Sequence, residues 1–200
     1  MKAKKVQLSA EDTQIRILDA AEALVRRHGP EKTRVVDVAR HLGMSHANVY
    51  RHFATKADIH DLIAERWLKR IAVPLAKIVG ERGSAEQRLK KWLVALCAIK
   101  RRKMIDDPEL FANYHALAEA SRDVVVHHVT ELRAQLAAII MDGMRLGEFK
   151  VKDAGAAARV VYDATSRYHH PYFLRNPVDR TREVTQMVAL LLPGLGAGIL

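Results

Sequence analysis

The residues Ser45 to Phe53, SHANVYRHF, set out a hydroxyl, imidazoles, an amide, a phenol and a guanidinium within nine positions. An asparagine amide can pair with two atoms of an adenine edge, and tyrosine, arginine and histidine can donate to phosphate oxygens. These groups act together only if one rigid element carries them. Ser45 is placed to cap a helix by accepting from the backbone N–H of Ala47 or Asn48. That leaves His46, Asn48, Tyr50, Arg51 and His52 outward on a helix able to enter a major groove. Val49 and Phe53 are assigned to the core.

The elements that must hold this helix are legible just upstream. In the run from Val35 to Phe53, VVDVARHLGMSHANVYRHF, Ala39 is small enough for a close helix crossing, Gly43 suits a left-handed turn and Val49 plugs the interface. This is the spacing of a helix-turn-helix. Thr33 is expected to cap the second helix, Arg34 to Leu42, and Thr33 and Arg34 to grip the opposite wall of the groove.

Other chemistries find less support. The sequence contains no H-E-x-x-H, no G-x-S-x-G and no Walker loop, so no enzyme is expected and no cofactor is implied. A small helical enzyme, or a ligand-binding protein without DNA affinity, is the alternative from another class, with Cys97 or the His115 region as its centre. Asp123, His127 and Glu131 recur every four residues on one helix face, but hydrogen bonding on a wet surface explains them better than a metal site. Cys97 is the single cysteine, which excludes an intramolecular disulfide and a multi-cysteine zinc module and fits a cytoplasmic protein. No stretch reaches the roughly 18 to 20 apolar residues of a membrane span, and Met1 to Leu8 lacks the apolar region of a signal peptide.

Net charge is +10 over 200 residues, which points to a polyanionic partner. Residues 1–60 hold 11 Lys/Arg against 7 Asp/Glu, residues 61–105 hold 12 against 4, and residues 106–200 hold 10 against 12. The positive field belongs to the first half. Its densest run, Lys100-Arg101-Arg102-Lys103, reads either as a source of long-range attraction for DNA or as a solvated helix end favourable to the helix dipole.

The stretch ILDAAEALVRRHG, Ile17 to Gly29, together with the helix-turn-helix, the ending Val49-Tyr50-Arg51-His52-Phe53 and Lys56-Ala57-Asp58, resembles the N-terminal part of the TetR family of bacterial transcriptional regulators. The match covers about residues 11–66. The resemblance implies an all-α fold: a three-helix helix-turn-helix domain followed by a six-helix ligand-binding and dimerisation domain, about nine helices in total. It divides the chain into a flexible basic arm at 1–10, a DNA-binding domain at 11–55 and a C-terminal domain at 56–200. It also implies base-facing positions at His46, Ala47 and Asn48 and phosphate-facing positions at Tyr50, His52 and Lys56. Arg34 stands where the family commonly has threonine, and His46 where lysine or arginine is more frequent. The implied partners are a near-palindromic double-stranded operator, a small-molecule effector and a second copy of the chain. No membrane partner is expected, and the protein would act as a cytoplasmic repressor released when the effector binds.

Periodicity orders the remainder. Glu11 to His28 reads as the first helix, stopped by Gly29-Pro30, and Lys56 to Val73 as a fourth that can continue, kinked at Pro74, to Val79. Ser84 and Gln87 open a fifth, Asp107-Pro108-Glu109 a sixth, Ser121 a seventh, Asp153 an eighth interrupted at Pro171, and Asn176-Pro177 a ninth. The final LLLPGLGAGIL reads as a loose tail. Val184, Met187, Val188, Leu191 and Leu192 form an apolar stripe that either joins Val160, Val161, Ala164 and Tyr168 in a dimer interface or covers the protomer's own core; the resemblance favours the dimer. Trp92, Cys97, Tyr114, His115, Tyr162, Arg167 and His169 combine apolar bodies with polar tips, and line an effector pocket or serve as ordinary core.

Overall fold

The computed structural model describes residues 9–175 and 180–199. Among them are ten α-helices and one short 3-10 turn, with no strand. Two compact units can be separated: residues 1–67 with 112–124, and residues 68–111 with 125–200.

The first unit holds α1 (Ala10–Lys32), α2 (Val35–His41), α3 (His46–Tyr50), the start of α4 (Lys56–Val79), the end of α6 (Pro108–Ala120) and the first residues of α7 (Arg122–Arg145). Ser9 starts α1 with a capping box: its hydroxyl accepts from the Asp12 N–H at 3.0 Å, and the Asp12 carboxylate accepts from the Ser9 N–H at 3.2 Å. The rest of the expected basic arm, Met1 to Leu8, lies outside the described residues. Gly29 breaks the helical path of α1 with φ 76° and ψ 164°, and one further turn carries on through Pro30 to Lys32. The core of this unit is apolar: Ile17, Val25, Val49, Ile63 and Ala64 are fully enclosed. Its buried polar contact links α1 to α6, where the Tyr114 hydroxyl donates to Glu22 at 2.5 Å and the Tyr114 ring stacks on Trp67 at 5.2 Å.

The second unit contains the remainder of α4 and α7 with α5 (Ala85–Asp106), α8 (Ala154–Ala164), α9 (Ser166–His169), the 3-10 turn Pro171–Arg175 and α10 (Thr181–Ala197). α4 runs through Pro74 without ending there. Ser84 caps α5 by accepting from Gln87 N–H at 3.1 Å, and Asp153 caps α8 by accepting from the N–H groups of Gly155 and Ala156. α7 is long and apolar enough, by length and composition alone, to cross a membrane, in contrast to the sequence reading. Its Leu132, Leu136, Ile139 and Ile140 are fully enclosed in this unit, the pattern of a core helix.

The C-terminus departs from expectation. The proposed start of the last helix at Asn176-Pro177 lies outside the described residues. The segment read as a loose tail is instead the second half of α10, continuing through Pro193 to a left-handed cap at Gly198, φ 72°. Two contacts hold it: the Lys150 N–H donates to the Leu195 carbonyl at 2.9 Å, and a Cβ on Gly198 would lie 2.7 Å from the Lys150 carbonyl oxygen. Burial of Leu195 and these backbone contacts override the local glycine content.

Candidate nucleic-acid interface

α2 and α3 cross through the small and apolar residues that the spacing singled out. Ala39 and Val49 are buried, and Gly43 turns the chain with φ 64°. Met44 N–H donates to the Ala39 carbonyl at 3.0 Å, closing the turn before the second capping residue. Ser45 is the N-cap of α3; its hydroxyl accepts from Asn48 N–H at 3.2 Å. Because Val49 faces inward, His46, Ala47, Tyr50 and Arg51 stand exposed on the opposite face. The His46 and Tyr50 rings meet edge to face at 4.7 Å, bracing one turn of that surface. Asn48 is half-buried, and its amide nitrogen lies 3.8 Å from the Met44 sulfur. This contact is weak enough to yield to a better acceptor.

Around α3 the placements vary. His52 is half-buried, and its carbonyl accepts from the Gln14 side chain at 3.4 Å. Lys56 donates to the Pro30 carbonyl at 3.2 Å, which ties the start of α4 to the end of α1. A capping box that the sequence reading overlooked, Thr55 with Asp58, precedes Lys56: Asp58 N–H donates to the Thr55 hydroxyl at 3.1 Å, and Thr55 N–H to the Asp58 carboxylate at 2.8 Å.

The start of α2 requires a correction. Thr33 is buried and donates to the Gly29 carbonyl at 2.8 Å, so it closes α1 and has no surface to offer a groove wall. Arg34 takes the N-cap position of α2 without capping through its side chain. Its guanidinium pairs with Asp37 at 3.0 Å, and Arg40 approaches the same carboxylate at 3.3 Å. Arg34 holds the Asp37 carboxyl below the usual carboxylate range, chiefly through their hydrogen bond. Arg34 is exposed, but its charge is shared with a neighbour.

The basic run of α5 is also not the exposed cluster that its sequence suggests. Lys100 is buried, Arg101 and Lys103 are half-buried, and Arg102 pairs with Asp106 at 3.2 Å. Helical spacing contained the signal, since Leu89, Leu93, Leu96 and Lys100 follow at i, i+4, i+7 and i+11 on the enclosed face.

The seven residues named for an effector pocket fall in both units. Tyr114 and His115 belong to the first unit, Tyr114 buried with Glu22 and His115 facing Glu119 at 3.5 Å. Trp92 is fully enclosed in the second unit and donates to Gln135 at 3.0 Å. Tyr162 and His169 are buried against each other, ring centroids 4.6 Å apart, and the Arg133 guanidinium sits 5.3 Å over the Tyr162 ring. Burial pushes the Tyr162 phenol up to about 12. Cys97 and Arg167 do share one small cleft, partly open to solvent, with Tyr168 and Val184 on its wall.

The residues named for a dimer interface divide likewise. Val161, Val184 and Val188 are buried inside the protomer, so the structure takes them out of a surface role. Val160 and Ala164 on α8 are exposed, while Tyr168, Met187, Leu191 and Leu192 are half-buried. Leu190 on α10, which the periodicity did not single out, is 76% exposed.

Residues 85–188 match the family described as tetracyclin repressor-like, C-terminal domain, and residues 17–62 match that of bacterial regulatory proteins, tetR family. The chain belongs to the TetR family. Solved structures share its fold. A candidate transcriptional regulator from Pseudomonas aeruginosa PAO1 is 19% identical with a TM-score of 0.71, over 98% of this chain and 96% of that one. A candidate TetR-family regulator from Mesorhizobium loti MAFF303099 is 16% identical with a TM-score of 0.67, over 96% and 98%. The regulator FadR from Bacillus subtilis, solved in complex with stearoyl-CoA, is 17% identical with a TM-score of 0.58, over 93% and 99%. No curated protein matches the sequence. This TetR-family transcriptional regulator therefore carries its helix-turn-helix at residues 35–53, with the outer face of α3 exposed.

Proposed function

We propose that this regulator is a homodimeric repressor that reads a near-palindromic operator with α3 and leaves it when a small molecule binds the second unit. The observation that carries the reading is the two-sidedness of α3: Val49 is fully enclosed while His46, Ala47, Tyr50 and Arg51 are exposed around a Ser45 cap. His46, Ala47 and Asn48 face base edges. Tyr50, Arg51, His52 and Lys56 hold phosphates, with Arg34 at the flank. Lys56 must leave the Pro30 carbonyl to do so, or contact DNA with a remaining proton. Two copies pair through Val160, Ala164, Met187, Leu190, Leu191 and Leu192, which removes the most exposed aliphatic face of α8 and α10 from water. The protein acts in the cytoplasm on chromosomal DNA.

The release step follows from α6. Its end belongs to the same compact unit as the reading helices and is fastened there by the Tyr114–Glu22 hydrogen bond and the Trp67 stack. Asn113 beside Gly29 adds a third contact, since a Cβ on Gly29 would lie 3.1 Å from the Asn113 side-chain oxygen. An effector that favours one of two positions of α6 thus shifts the reading helices with it. The stearoyl-CoA complex of FadR supports a small-molecule effector for this architecture.

Selection of bound duplexes from a random pool tests the reading. The expected outcome is a two-fold related motif with half-sites centred one helical turn, about 34 to 36 Å, apart. Recovery of unrelated sequences with no symmetry would contradict it.

A further inference from the structure

Among its described residues the second unit buries two cations, and one of them has a counter-charge. Arg88 donates to the Val79 carbonyl at 2.7 Å and pairs with Asp142 at 2.9 Å. Lys100 is 8% exposed and meets no carboxylate among the described residues. Its surroundings are instead basic or neutral: Cys97 one turn earlier, His128 on α7 and His169 on α9, both histidines at 5% exposure or less. Two imidazole nitrogens in this group, His128 Nε2 and His169 Nδ1, are enclosed without a hydrogen-bond partner. The other nitrogen of His169 lies 3.1 Å from the Tyr162 carbonyl. A carbonyl only accepts, so Nε2 carries the proton and Nδ1 offers a lone pair in the neutral ring. Burial pushes the Lys100 ammonium down to about 8 and, with the Lys100 charge second, both imidazoles down to about 3.

A buried cation surrounded by unsatisfied nitrogens is costly unless something completes it. The cleft beside it shows what would fit. Cys97 and Arg101 of α5, three residues before Lys100 and one after it, line that cleft, and Arg167 lines it two residues before His169. Its apolar wall comes from Val94, Leu174 and Val184, and no carboxylate among the described residues lines it. Arg180 at the rim already faces Glu183 at 3.7 Å.

We infer that the effector is a small amphipathic organic acid whose carboxylate enters past Cys97 to Lys100, meets Arg167 at the cleft mouth, and lays its hydrocarbon body on the apolar wall. The carboxylate supplies the counter-charge that Asp142 gives Arg88. A hydroxyl on the same ligand would donate to His169 Nδ1. This inference rests on the effector-binding role proposed for the second unit and names its ligand class.

The test is calorimetric titration and thermal shift of the full chain with benzoate, phenylacetate and octanoate, each beside its primary amide, and with inorganic phosphate as a further arm. At least one carboxylate is expected to bind about tenfold or more tighter than its amide, the worth of one charge-assisted hydrogen bond, and phosphate is expected to have no comparable effect. Lys100→Met should erase the acid-over-amide preference. Arg167→Gln, at an exposed position that does not threaten folding, should weaken the acid several-fold and leave the amide unchanged. Equal binding of every acid and amide overturns the inference, as does a preference that survives both substitutions, or phosphate binding as tight as any acid. Duplex binding measured on the same samples separates the two readings. Loss of acid preference with intact duplex binding removes only the ligand class, whereas acid binding that leaves duplex affinity unchanged removes the release step.

Discussion

The two units spend their polar side chains in opposite ways. The reading unit encloses aliphatic residues and turns hydrogen-bonding groups outward on α3, and among its described residues it keeps the Tyr114–Glu22 contact, Thr33 and Ser121 inside. The second unit encloses Arg88, Lys100, His128, Thr165 and His169 among its aliphatic residues. An apolar interior under a polar face makes a stable platform for recognition of something outside. A polar interior is less stable by itself and answers to protons or ligands that complete it.

Acid should expose the difference most strongly. His128 and His169 titrate near 3 in the folded protein, lowered mainly by burial, against about 6.5 when unfolded. Above pH 6.5 both states hold the rings neutral and no stability is lost. As pH falls from 6.5 toward 3, the unfolded chain takes up protons that the folded chain refuses, so stability drops by about 1.4 kcal/mol per pH unit for each histidine. Chemical denaturation followed between pH 7 and 4 should show this fall. A His128→Leu, His169→Leu double variant should flatten it, and a profile unchanged in the variant would break the contrast.

Substitution sharpens the comparison. Trp92→Ala removes the largest enclosed side chain of the second unit and leaves Gln135 without its donor, so thermal or urea unfolding should register a loss of about 3 to 5 kcal/mol. Lys100→Met should act in the opposite direction, raising stability by about 1 to 4 kcal/mol in the absence of ligand, because it removes a buried charge without a counter-ion. In the reading unit, Asn48→Ala should cost about 1 to 3 kcal/mol on the preferred duplex, with nonspecific binding and unfolding nearly unaltered. Equal losses on both duplexes would remove its role at a base edge. Ser45→Ala, which deletes the α3 cap, should cost about 1 kcal/mol in unfolding free energy.

How much the sequence revealed also differs between the units. Ala39, Gly43, Ser45 and Val49 lie within eleven residues, and their roles follow from local geometry: a close crossing, a positive φ, a cap and a plug. The caps at Ser84, Asp107 and Asp153 were legible for the same reason. Thr33 was misread because two local bonds compete for its hydroxyl, and the Gly29 carbonyl wins over the N-terminus of α2. The partners of Tyr114 and Trp92 lie 92 and 43 residues away, a separation no periodicity encodes. Lys100 was hidden by its charged neighbours, although its place on the α5 stripe was available. The tail was hidden by its glycines, whose docking against Lys150 needs the packed fold.

The central claim is that the outer face of α3 reads duplex DNA, and that two copies do so together. Hydroxyl-radical footprinting of the regulator on its selected duplex measures this most directly. The account calls for two protected patches on one face of the helix, spaced by one turn of about 34 to 36 Å and both lost in a His46→Ala, Asn48→Ala variant that remains folded. A single protected patch, or protection that persists in that variant, would contradict it.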